Sequence, residues 1–208
     1  VEAINRYFHF RFVPEPATPL LHVRKLRAGH LMALSPDTPQ PAPRQYWNVS
    51  AIPPLDGDPV EIIRADLEDI GRIIVRSDVP VGVALSGGLD SSIVASLAVR
   101  HSPSTVTAFS VGYEGRPACD ERADAAAFAR HLGIDMVEVE LSAIDVANGF
   151  EGLVADMSEP IADAAGSSYR ALMQAARQAG IKVMFQGQGA DELFWSYGWM
   201  RQALAENE

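Results

Sequence analysis

Four short apolar runs, at 81–85, 106–111, 136–141 and 181–185, limit what this chain can fold into. The first, Val81 to Leu85, is continuous rather than alternating, as a strand covered on both faces requires. Between them lie stretches of helical period. Ile62, Ile63, Leu67, Ile70, Ile73 and Ile74 repeat at that spacing from Pro59 onward. Further helices are predicted over 91–99, from Asp120-Glu121 to Gly133 with acidic residues at its positive end, and over 143–157 and 167–179, where Gly180 supplies a stop. This strand–helix alternation predicts a doubly wound α/β domain with a parallel sheet and right-handed crossovers.

Residues 1–55 have another texture. A short helix over 1–12 is followed by Pro14, Pro16, Pro19, Pro36, Pro39, Pro41, Pro43, Pro53 and Pro54. That density removes ladder donors, so only brief edge strands are expected, at 31–34 and 46–49. The segment reads as a connector. With 208 residues, 48% of them hydrophobic, the chain can bury one sizeable core.

The first strand runs into Ser86-Gly87-Gly88-Leu89-Asp90-Ser91-Ser92 and then into a helix. Ligands of such sheets sit beyond the carboxyl ends of the strands. Two glycines let the backbone approach phosphate oxygens, and successive N–H groups with a helix N-terminus bind the anion. Ser86, Ser91 and Ser92 add hydroxyl donors. Asp90 fits beside a polyphosphate only if a hard cation such as Mg²⁺ bridges the two. Two glycines alone would be an ordinary capped turn; it is the strand–loop–helix context that argues for phosphate. The loop has no lysine, which excludes the Gly-x-x-x-x-Gly-Lys-Ser/Thr class. A formal charge of −10 and the lack of a basic block argue against nucleic acid as partner. No apolar run approaches a membrane span, and Cys119 is the single cysteine, so a reducing, cytoplasmic setting is expected.

The loop resembles the PP-loop of ATP pyrophosphatases, the adenine-nucleotide α-hydrolase-like fold. Three further stretches resemble asparagine synthetases in particular. These are Ser77-Asp78-Val79-Pro80-Val81-Gly82 before the loop, Gly187-Gln188-Gly189-Ala190-Asp191-Glu192-Leu193-Phe194 after the fourth strand, and Val23-Arg24-Lys25-Leu26-Arg27-Ala28-Gly29-His30 with Tyr46-Trp47 upstream. The resemblance implies residues 1–55 as the tail of, and linker from, a glutaminase domain, and 56–208 as an ATP-binding synthetase domain. It places Leu85, Val111, Gln186 and Gly187 around the nucleotide, Leu85 and Val111 near adenosine. Residues 86–92 would hold pyrophosphate, and Asp90 and Asp191 would bind Mg²⁺. The implied chemistry is adenylation of a carboxylate by ATP, then displacement of AMP by a nitrogen donor. A homodimer is allowed for but not fixed by the sequence.

The chain also departs from that pattern. The amino-terminal glutaminase with its terminal cysteine is absent, as is the later part that carries an active-site lysine. Gln188 stands where the family usually has a glutamate that takes a proton from ammonia, and an amide has no useful basicity. Relatives with other residues there, β-lactam synthetases and lasso-peptide cyclases, acylate amines, so a macrolactam-forming cyclase is the alternative. A nucleotide-binding module without catalysis is a third reading, opposed by the retained Asp90 and Asp191. His9, His22, His30, His101 and His131 show no metal-ligand spacing and read as surface or capping residues. Trp195, Tyr197 and Trp199 read as packing, and Glu159-Pro160 with Asp163 as either a plain loop or an acidic segment on the substrate side.

Overall fold

The computed structural model describes residues 2–37, 41–157, 159, 162–163, 165–194 and 196–206. They fall into two compact units: 1–57 with 150–165, and 58–149 with 166–208.

The second unit is the predicted α/β domain. Its sheet is parallel throughout, in the order β5 (Asp135–Leu141), β4 (Val106–Tyr113), β3 (Val81–Ala84), β6 (Val183–Phe185). Alternation along the strands divides the core. Val81, Val83, Leu85, Val106 and Ala108 face α3 (Leu89–His101) and α4 (Arg122–Leu132), meeting Ala95, Ala98, Ala125 and Ala129. On the other face, Phe109 is fully buried against Leu172 and Ala176 of α6 (Gly166–Gln178). Gly82 makes room for Phe109: a Cβ there would lie 3.0 Å from its ring and from Ile181. Helices thus cover both faces, as continuous strand hydrophobicity demands.

The helix boundaries follow local chemistry. In α2 (Pro59–Ile74), Asp58 accepts the Val60 N–H at 2.9 Å and proline occupies the first turn. Gly71 of α2 lets α3 approach, since a Cβ would sit 3.1 Å from Leu97 and His101. Glu68 of α2 spans the same seam, pairing with Arg100 and, at 2.7 Å, with His101 Nε2. His101 is therefore a half-buried helix tie rather than a surface residue. Gly133 closes α4 in the left-handed region at φ 69°. Ser142 and Asp145 cap α5 (Ala143–Asp156) reciprocally, Ser142 N–H donating to Asp145 Oδ2 at 2.9 Å and Asp145 N–H to Ser142 Oγ at 3.2 Å. The chain passes into the first unit at Phe150, within α5. Two further helices follow β6: α7 (Ala190–Leu193), a single turn containing the Asp191-Glu192 pair, and α8 (Gly198–Ala205), whose Trp199, Met200, Ala203 and Leu204 recur at helical spacing.

In the first unit, α1 (Glu2–Phe10) forms as expected. The two expected edge strands shrink to a pairing of β1 (His30–Leu31) with β2 (Arg44–Gln45). The second patch turns away at once, because the Tyr46 and Trp47 amides both donate to Gly29 O, and Val49–Ala51 is a 3₁₀ turn. Residues 150–165 join this unit through Ala162 N–H to Arg11 O at 2.9 Å, and through Lys25. The Lys25 ammonium donates to Val13 O at 2.6 Å and to Glu159 Oε1 at 2.5 Å. Asp163 caps its own loop, accepting the Ala165 N–H. Pro160 and Trp195 lie outside the described residues, and no described helix is long and apolar enough to cross a membrane.

Replacing Phe109 by alanine should cost about 3–5 kcal/mol, since a fully buried ring is lost between sheet and helix. Urea denaturation of the two proteins would measure it.

Candidate functional site

At the carboxyl end of β3 the ladder continues for one residue, with Leu85 N–H donating to Phe109 O at 2.8 Å. The chain then turns through Ser86, Gly87 and Gly88 into α3. Ser91 Oγ, buried beneath the turn, organises it. It donates to Gly88 O at 3.1 Å and accepts the Ser86 N–H at 3.2 Å. With that proton committed, the 3.0 Å contact between Ser86 Oγ and Ser91 Oγ has Ser86 as donor. Ser86 Oγ in turn accepts the Gly88 N–H at 3.2 Å. Ser92 N–H closes the first helical turn on Gly88 O at 3.1 Å.

Two glycines are fixed by close approach. Gly87 has φ 84°, and a Cβ on it would lie 2.8 Å from Asp124 Cβ and 2.9 Å from the Ala125 nitrogen, in the first turn of α4. A Cβ on Gly187 would lie 3.1 Å from Asp90 Cβ and from the Ser91 nitrogen. The second glycine-bearing stretch, leaving β6, therefore presses directly against the loop leaving β3. Strand pairing underlies this, since β6 is the neighbour of β3. Gln186 and Gly187 are half-buried beside the loop. Val111 sits on β4 opposite Val139 of β5, packed in the α6-side core.

Of the residues singled out in the sequence, Leu85, Ser86, Gly87, Gly88, Asp90, Ser91, Gln186 and Gly187 gather at one sheet edge. Ser92 follows in α3 and borders the groove between α2 and α3. Asp191 opens α7 and accepts a hydrogen bond from Ser196. Glu192 accepts from the Tyr197 phenol at 2.9 Å, and that carboxylate raises the phenol above its ordinary range. Tyr197 also stacks on Trp199, ring centroids 5.9 Å apart, but the two residues are 37% and 67% exposed, so they form a surface pair. Gln188 is exposed, and its Nε2 donates to Tyr169 Oη of α6 at 2.8 Å.

The site offers backbone amides and hydroxyls at the N-terminus of α3, which suits phosphate. Among the described residues no three His, Cys, Asp or Glu side chains gather as a metal-ligand group. Asp90, in the first turn of α3, is of a kind to join a hard cation that takes its other ligands from phosphate oxygens and water, as Mg²⁺ commonly does.

Sequence reasoning passed over one group at this edge. Arg122, the first residue of α4, is only 2% exposed. It donates to both Asp120 carboxylate oxygens, to Tyr113 O at 3.1 Å and to Glu140 Oε2 at 3.0 Å. The Arg122 hydrogen bonds hold the Asp120 carboxyl down at about 2, and those to Asp120 raise the guanidinium further. An isolated charge in a helix start gives no sequence signal of burial; Asp120 two residues earlier was the available hint.

A family model for asparagine synthase matches residues 63–208. Glutamine-hydrolysing asparagine synthetase 1 of Bacillus subtilis is 34% identical over 205 residues, which is 98% of this chain and 32% of that protein. An amidase of Penicillium rubens, chyE, is 30% identical over 201 residues, covering 88% of this chain and 30% of its own length. A solved glutamine-dependent NAD⁺ synthetase from Acinetobacter baumannii, in complex with ADP, overlays 71% of this chain and 29% of its own at 25% identity and a TM-score of 0.47, a partial superposition only. The chain spans about a third of the length of the curated relatives it matches.

Gly87→Ala should strain the loop by about 1–3 kcal/mol, through its positive φ and the contact with α4. Affinity of the full-length protein for pyrophosphate, measured by calorimetry, should fall roughly tenfold.

Proposed function

This chain belongs to the asparagine synthase family, and from that premise we propose that it is the ATP-binding, amide-forming part of a ligase. In this reading a substrate carboxylate, aspartate in the asparagine synthetases, attacks the α-phosphorus of ATP. The bond to the β-phosphate bridging oxygen breaks, and an acyl-adenylate and pyrophosphate form. A nitrogen nucleophile then displaces AMP from the acyl carbon, losing a proton, to give the amide. In a glutamine-hydrolysing protein the nitrogen is ammonia from a separate glutaminase domain. The observation that carries the proposal is the loop held by Ser91 Oγ and gripped at Gly87 and Gly187.

The residues divide the work. Gly87 and the first-turn amides of α3 offer N–H groups to the departing pyrophosphate, with the Ser92 hydroxyl beside them, while Gly88 N–H and the Ser86 and Ser91 hydroxyls hold the turn in shape. Because these donors are already placed, charge developing on the leaving group meets fixed dipoles. Leu85, Val111, Gln186 and Gly187 would lie around the nucleotide, Leu85 and Val111 nearest adenosine. Asp90 and Asp191 would hold Mg²⁺, which neutralises phosphate charge when bound.

A second reading keeps adenylation and changes the nucleophile. It is supported by Gln188, whose exposed amide donates to Tyr169 Oη and has no basicity for deprotonating ammonia. Here the acceptor is an amine of the substrate, as in a macrolactam cyclase or β-lactam synthetase. The amidase name of the Penicillium relative is in keeping with a wider range of amide chemistry.

In the full-length protein, Asp90→Asn should lower ATP–pyrophosphate exchange on the order of 10²-fold or more; unchanged exchange removes Asp90 from the metal site. Asparagine formed from aspartate, ATP and ammonia would support the first reading. ATP turnover only with a peptide or an amine-bearing acid would support the second.

A further inference from the structure

The first turn of α4 touches two things. At Arg122 it is bound to the carboxyl edge of the sheet: to Tyr113 O at the end of β4, to Glu140 on β5, and to Asp120 in the loop between. Two and three residues later, Asp124 and Ala125 fill the space where Gly87 would carry a Cβ. The guanidinium fits because position 112 is glycine: a Cβ on Gly112 would overlap Arg122 Nε and come within 2.7 Å of Asp120 Oδ2. Gly112 is itself paired with Glu140 across the β4–β5 ladder, so the ion lock closes over that pair. Arg122 and Asp120 are 2% and 5% exposed, whereas Glu140 is 54% exposed and forms the solvent side.

We propose that Arg122 is a positioning residue for the pyrophosphate loop: locked to Asp120, Glu140 and Tyr113 O, it fixes the α4 turn against which Gly87 rests. This rests on the reading of residues 86–92 as a pyrophosphate cradle. A bidentate guanidinium with further donors fixes both the direction and the depth of the helix start. A loop backed on one side by α4 and on the other by Gly187 has its amides set before the ligand arrives. Without the lock, α4 would keep its apolar seat through Ala125 and Ala129 but lose its anchor at the ligand edge. The Arg122 hydrogen bonds keep Asp120 charged down to about 2, so this arm of the lock persists at neutral pH. Its contribution to stability is full above the ordinary carboxyl value of 3.8 and is lost as pH falls toward about 2.

The test uses the full-length protein and its Arg122→Met, Arg122→Lys and Asp120→Asn variants. Calorimetry would give the affinities for magnesium pyrophosphate, MgATP and adenosine, with circular dichroism to establish the fold. Arg122→Met should weaken pyrophosphate and MgATP about tenfold and leave adenosine within twofold. Arg122→Lys, which keeps one charge but not the fork, should fall between. The Asp120→Asn loss should be the same at pH 6 and pH 9. Folded variants that bind pyrophosphate like the parent overturn the proposal. So does an equal loss for adenosine, which would mean general loosening. If Arg122→Met does not fold, Arg122→Lys and Asp120→Asn decide by the same criteria. A parent protein that binds neither pyrophosphate nor MgATP defeats the cradle reading and this proposal with it; a binding parent with indifferent variants defeats the proposal alone.

Discussion

One buried hydroxyl holds the loop together. Ser91 Oγ lies under the turn, accepts from the residue that leaves β3 and donates to the carbonyl that starts α3. Because it satisfies polar groups from inside, the outward face of the turn keeps its remaining amides for a ligand. The arrangement depends on where Ser91 stands. It is in the first helical turn, so the hydroxyl is placed by α3, and α3 is placed by Ala95 and Ala98 against β3 and β4. Packing thus reaches the site through one side chain.

The protein's charge makes this economy necessary. At a formal −10 the long-range field repels a polyphosphate, and no lysine stands in the loop. Attraction must come from oriented dipoles at short range, and these act only if the backbone sits where it should. That explains why glycines at 87 and 187 are gripped rather than loose. In each case the missing Cβ is replaced by a neighbouring element. Flexibility is not their purpose here; contact is.

Much of this was legible in the sequence, and the reasons differ by residue. The run at 81–85 announced a buried parallel strand because both of its faces are apolar. Residues 86–92 announced the loop because strand, glycines and helix follow without a break. The edge strands at 31–34 and 46–49 were over-read: apolar patches among prolines predicted pairing, and Gly29 O instead draws Tyr46 and Trp47 into a turn. The inclusion of 150–165 with the first unit could not be seen, since it arises from Lys25 meeting a carboxylate 134 residues away. Arg122 was missed for the same reason. Its partners come from β4, from β5 and from the intervening loop, and no local pattern tells a buried guanidinium from a solvated one.

The position of β5 at the edge of the sheet has a consequence for solubility. An outermost parallel strand of seven residues could template the addition of another chain. Asp135, Glu138 and Glu140 are exposed along it, so a second copy laid alongside would have to strip water from charged groups. Arg122 and Arg116 neutralise Glu140 and Glu138 from within the same molecule, which satisfies the native edge but offers nothing to an incoming one. The lock on α4 therefore has a second value, as part of a strand border that discourages aggregation.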